Sequence, residues 1–121
     1  MIAIPHGVAC AALLGPVVEV NVARLRATEP DNPVLDRYAE VARLLTGRPE
    51  ASVEDGLEWI RATVEQLDVP PLRAFGLRRE DWRQVVAGAA RSSSMQGNPA
   101  RLTEDDLVEI LTKAAERAIT T

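Results

Sequence analysis

Apolar positions recur at helical spacing along the chain, in blocks that proline and glycine separate. The clearest block is Val53, Leu57, Ile60, Val64 and Leu67, which step by four and three and so fall on one stripe of a helix. Ser52 with Asp55 resembles a capping box and marks its start. Leu35, Tyr38, Ala42 and Leu45 repeat the pattern after Asn32-Pro33, read as an N-cap with proline at the first helical position; Gly47 and Pro49 end that helix. "VPPL" then breaks the chain, Leu72 and Phe75 form a short connector, and Gly76 turns into "LRREDW". Glu80 and Asp81 suit the positive end of the next helix, with Trp82, Val85, Val86 and Ala89 expected to face inward. "RSSSMQGNP" is a polar loop. Thr103 and Asp106 open a last helix that is expected to bury Leu107, Ile110, Leu111, Ala114 and Ala118.

The first helical stretch runs from Gly7 to Arg26, with Gly15-Pro16 inside it as an expected kink or break. Its apolar run, Val8 to Val18, falls short of the roughly 20 residues that cross a bilayer and is interrupted by Pro16. It has no basic n-region of a signal peptide, and the acids downstream argue against a transit peptide. It reads as a buried helix. With no convincing strand and no internal repeat, the expected fold is all-α: one domain over residues 1–121, a compact bundle of five to six short helices.

Composition agrees with helices. Hydrophobic residues make up 46% and charged ones 26% of the 121 residues, but there are only two Trp, one Tyr and one Phe, so aliphatic and alanine packing must fill the core. The net charge of −4 and pI near 5.0 provide no basic footprint, which argues against nucleic acid and against an anionic membrane as partners. One cysteine makes no internal disulfide and no Cys/His cluster offers a zinc site, so the cytoplasm is the expected compartment.

Candidate chemistry is sparse. His6, the only histidine, follows Pro5 where the first helix begins, and the helix dipole there disfavours an imidazolium and favours the neutral ring a metal binds. Its bland reading is a histidine that caps or packs at a helix start. A first-row metal wants three or four ligands, and with one His and one Cys the rest would be carboxylates. Cys10 lies one helical turn after His6 but reads as a small buried hydrophobe. "EDD", Glu104 to Asp106, is better explained by the helix dipole than by a metal. Ser92, Ser93 and Ser94 have no second histidine to act as base, and no glycine-rich dinucleotide fingerprint occurs. A helix-turn-helix would carry Glu104, Asp105 and Asp106 into the phosphates. No residue is assigned a catalytic role.

Five segments together carry a resemblance. "PHGVACAALLGPVVEVN" resembles the opening of the all-helical C-terminal domain of the iron-containing (group III) alcohol dehydrogenases, where Pro-His-Gly starts a helix of small residues that ends in Leu-Leu-Pro and then an asparagine. "YAEVARLL", "VPPLRAFGLRREDW", "SSSMQGNP" and "LTEDDLVEIL" follow in the family's order, so the likeness covers residues 4 to about 118. It implies NAD(P)-dependent hydride transfer on alcohols and aldehydes, with iron or zinc polarising the substrate oxygen. By position His6 matches the last of the family's metal ligands; the aspartate and other histidines lie upstream of this segment, as does the nucleotide-binding domain. Gly15-Pro16 departs from the family, whose proline sits one position earlier. The chain then reads as a C-terminal domain that is inactive alone, or as a truncated homologue kept as a helical association module with His6 vestigial; an unrelated helical bundle is the third reading. Its expected partners are a separate nucleotide-binding half or further copies of itself, associating through Ile2, Ile4, Val8 and Cys10.

Overall fold

The computed structural model describes residues 6–90 and 98–115, and the side chains of His6, Arg79, Val86, Ala89 and Ala90 lie outside that description. Five α-helices appear there: α1 (His6–Thr28), α2 (Val34–Thr46), α3 (Val53–Gln66), α4 (Trp82–Ala90) and α5 (Glu104–Ala115). Two 3₁₀ turns, Leu72–Phe75 and Arg79–Asp81, connect α3 to α4, and no strand occurs among the described residues. Helix α1 is the axis. It packs against α5 and α3, α2 pairs with α3, and α4 with α5.

Local chemistry explains the element ends. The Ser52 side chain accepts from the Asp55 N–H at 3.2 Å while the Asp55 carboxylate accepts from the Ser52 N–H at 2.9 Å, so the capping box of α3 is complete. At α5 the Asp106 carboxylate accepts from the Thr103 N–H at 2.8 Å and the Asp106 N–H donates to the Thr103 hydroxyl at 3.1 Å. Helix α2 starts one residue later than expected: Pro33 occupies the cap position, and the Asn32 side chain accepts from the Val34 N–H at 2.9 Å. Gly47, at φ 71°, ends α2 in the left-handed region, and its N–H donates to the Arg43 carbonyl at 2.9 Å. Gly56 permits a close approach of α3 to α2, because a Cβ there would sit 2.7 Å from that of Ala42.

The structure corrects several expectations. Helix α1 runs unbroken for 23 residues through Pro16, so the proline removes one N–H from the ladder, the one facing the Ala12 carbonyl, without ending the helix. Over Gly7–Thr28 α1 is in fact long enough, and in its best 18-residue window, at mean hydropathy 1.6, apolar enough, to cross a membrane; the core helix of a soluble bundle passes the same test. Cys10, expected to be buried, is exposed. Leu67 caps α3 outside the helix and is exposed, and Val85 is exposed on α4. Trp82, Leu107, Ile110, Leu111 and Ala114 are buried as the spacing predicts, in one cluster with Ala12, Val20, Leu72 and Leu77. Val86, Ala89, Ala118 and most of the "RSSSMQGNP" loop fall outside the described side chains and residues.

Candidate functional site

His6 is the first residue of α1, at the helix's positive end, as the sequence places it. Its side chain lies outside the described set. Cys10 follows one turn later at the exposed surface, Val8 is half-buried between them, and Ile2 and Ile4 are outside the described residues. Among the described residues no three His, Cys, Asp or Glu side chains come together to hold a metal ion. The "EDD" acids are used structurally: Glu104 and Asp105 are exposed in the first turn of α5, while Asp106 makes the cap and an ion pair. The donors among the described residues therefore do not make up a complete metal centre.

Farther along α1 a set of polar cross-braces fixes its C-terminal half. Asn21 is 2% exposed, and its amide forms a reciprocal pair with Asn98: Asn21 donates to the Asn98 Oδ1 at 3.0 Å and Asn98 to the Asn21 Oδ1 at 2.7 Å. The amide of Asn21 also donates to the Tyr38 hydroxyl at 3.3 Å, and that of Asn98 to the Ala100 carbonyl at 2.8 Å, so the buried Asn21 and the half-buried Asn98 satisfy each other and tie three segments together. Arg24 grips the Asp106 carboxylate from Nε at 3.1 Å and from a terminal nitrogen at 2.9 Å. Partial burial works against ionisation of Asp106, but the Thr103 N–H and the Arg24 guanidinium outweigh it and hold its carboxyl below the ordinary range. Lys113 reaches Glu19 at 3.3 Å. Arg26 pairs with Glu54 across α1 and α3 and holds its carboxyl low. Sequence reasoning did not find the asparagine pair, although both residues lie inside segments that carry the family resemblance; the signal available was an asparagine embedded in an apolar helix.

The N-terminal half of α1 is flanked by two open grooves. One, of about 400 Å³, lies between α1, α3 and α5 and is lined by Ala11, Ala12, Gly15, Pro16, Leu57, Ile60 and Val64, with Glu19, Arg61, Thr112 and Lys113 at its polar side. The other, of about 330 Å³, lies between α1, α2 and α3; its walls are almost wholly apolar, from Leu14 and Val18 to Tyr38, Leu45 and Trp59. Leu57 and Ile60 of α3 form the ridge between them, and a Cβ at Gly15 would meet the Ile60 Cγ2 at 3.6 Å, an ordinary contact.

Comparison with known proteins gives the family. The Fe-containing alcohol dehydrogenase family, C-terminal, matches residues 1–115. Lactaldehyde reductase of Escherichia coli (strain K12) is 30% identical over 112 residues, which is 88% of this chain and 27% of the reductase, and the lactaldehyde reductase of Escherichia coli O157:H7 matches to the same extent. The chain thus spans about a quarter of the length of the curated relatives it matches. No solved structure matches it at comparable stringency. With its helical architecture, its order of motifs and a match over nearly its whole length, the chain belongs to the Fe-containing alcohol dehydrogenase family, as its all-helical C-terminal part.

Proposed function

We propose that this chain is the C-terminal helical module of an NAD(P)-dependent alcohol or aldehyde oxidoreductase, that it contributes His6 as one ligand of a divalent iron or zinc site, and that it is not catalytic alone. The observation that carries the reading is His6 as the first residue of α1, in the sequence Pro5-His6-Gly7, within a 115-residue family match. The remaining ligands and the cofactor cradle would come from a nucleotide-binding half, in the same polypeptide or in a separate one. The working compartment of such an oxidoreductase is the cytoplasm, with neither nucleic acid nor a membrane as partner.

A second reading, that the chain serves as an association module, draws on the open N-terminal half of α1, since exposed apolar surface of this kind is commonly covered by another chain. Anaerobic calorimetric titration of Fe(II) and Zn(II) into the chain and a His6→Ala variant tests the first reading. No binding to either protein is expected for the isolated chain. Micromolar binding that vanishes in His6→Ala would show a site complete without the other half and overturn the claim of dependence.

A further inference from the structure

The cross-braces of α1 sit toward one end of the helix. Glu19 with Lys113, Asn21 with Asn98, Arg24 with Asp106 and Arg26 with Glu54 all lie after Pro16. Before Ala12 no described residue of the helix is buried: Gly7 and Cys10 are exposed, and Val8, Ala9 and Ala11 are half-buried. Ala12, 6% exposed and part of the core cluster, is therefore the last firmly packed point on the way to the helix start. The hydrogen-bond ladder is weakest at the same place. Pro16 has no N–H for the Ala12 carbonyl, and a proline ring inside a helix crowds the carbonyl one turn back. Gly15 beside it weakens the turn further, because glycine has the most backbone freedom to lose. A proline is where sharp helix bends arise, and open grooves flank this half of α1 on two sides.

We infer that Gly15-Pro16 is a hinge, on which the arm from His6 to Ala11 bends about a pivot at Ala12 while the rest of α1 stays clasped. The arm has leverage. His6 lies six residues before Ala12, about 9 Å along the axis, so a bend of about 20° moves it by about 3 Å. A metal–nitrogen distance is fixed to about 0.2 Å, so a swing of this size separates ligation from none. The use of the hinge rests on the role proposed for His6: with the remaining ligands supplied from elsewhere, the arm carries His6 to the metal when they arrive, and the braces keep the core from following it.

Amide hydrogen exchange, read residue by residue by NMR, tests the hinge in the unmodified chain, in Pro16→Ala, which restores the missing donor, and in Gly15→Ala, whose Cβ meets the Ile60 Cγ2 at an ordinary 3.6 Å. The amides of residues 10–14 close the ladder of the arm, and those of residues 20–25 report on the clasped half. The unmodified chain should show a step at Pro16, with the arm exchanging at least about a hundredfold faster than the clasped half. Pro16→Ala should slow residues 10–14 at least about tenfold and change residues 20–25 by less than about threefold, and Gly15→Ala should act in the same direction. Protection that rises evenly from the helix start past Pro16, or variants that slow both halves alike or neither, overturn the hinge. Exchange needs no metal, so a failed hinge leaves the role of His6 standing, and a failed role of His6, read in the metal titration, leaves the hinge standing.

Discussion

The two halves of α1 differ in composition and in fate: Gly7 to Pro16 carries no charged residue, whereas Glu19, Asn21, Arg24 and Arg26 all lie in the second half. From Val20 to Leu25 the helix is wrapped: Val20, Asn21, Val22 and Leu25 are buried, and Leu25 has no exposed surface at all. From Gly7 to Pro16 it is flanked by two grooves, with Cys10 and Leu14 exposed. The difference lies in the partners. Asn98, Asp106 and Tyr38 each supply a directional bond to the C-terminal half, while the N-terminal half is met by apolar contact, through Ala12 and Leu13 in the core cluster and the Leu57 and Ile60 ridge. Hydrophobicity sets how much an element gains from burial; the other elements decide where burial happens.

The same substitution at the two ends gives the sharpest contrast. Leu25→Ala should cost about 3 kcal/mol, from lost transfer energy and a cavity in a site that cannot collapse, whereas Leu14→Ala should cost well under about 1 kcal/mol. Urea unfolding at micromolar protein, followed by circular dichroism, measures both; equal losses would show that the wrapped half is not the more tightly held. Next comes the amide pair. Asn21→Ala leaves Asn98 without its reciprocal partner and should cost about 2 kcal/mol, and a double-mutant cycle with Asn98→Ala should return a coupling of about 1 kcal/mol or more.

The smallest effect is electrostatic and concerns the brace on α5. Asp106 titrates below its unfolded value, near 3.9, so its contribution is complete above that value and is lost as pH falls through the folded one. Glu54 and Asp55 are lowered in the same direction. Thermal unfolding should therefore show a plateau from pH 7 to about 5 and a decline below about 4; Asp106→Asn should cost about 1 kcal/mol on the plateau and make the acid decline shallower. An unchanged acid limb in that variant would mean that Asp106 is not held low.

Much of the fold was legible because its signals are short-range. Ser52 with Asp55 and Thr103 with Asp106 are local bonds three residues apart, and each marked a helix start correctly. Burial was legible only where a stripe met a partner. Leu67 and Val85 belong to plausible apolar patterns yet face outward, because no described element lies over them. Cys10 differs for the same reason: a small-residue helix looks buried in sequence, and Cys10 lies on its exposed side. The Asn21–Asn98 pair spans 77 positions, and periodicity carries no information at that range. His6 at a helix start could be read directly, but a metal site is a convergence of several elements, which one histidine cannot announce.

The braces on α1 also set an order of events during synthesis. Their partners follow late in the chain: Asn98 lies 77, Asp106 82 and Lys113 94 residues after Asn21, Arg24 and Glu19. At about 5–20 residues per second, the most apolar helix of the domain leaves the ribosome roughly 5–20 seconds before α5 can clasp it. In that interval α1 is a ready substrate for holding chaperones, and the asparagine latch closes only when translation has almost passed the domain.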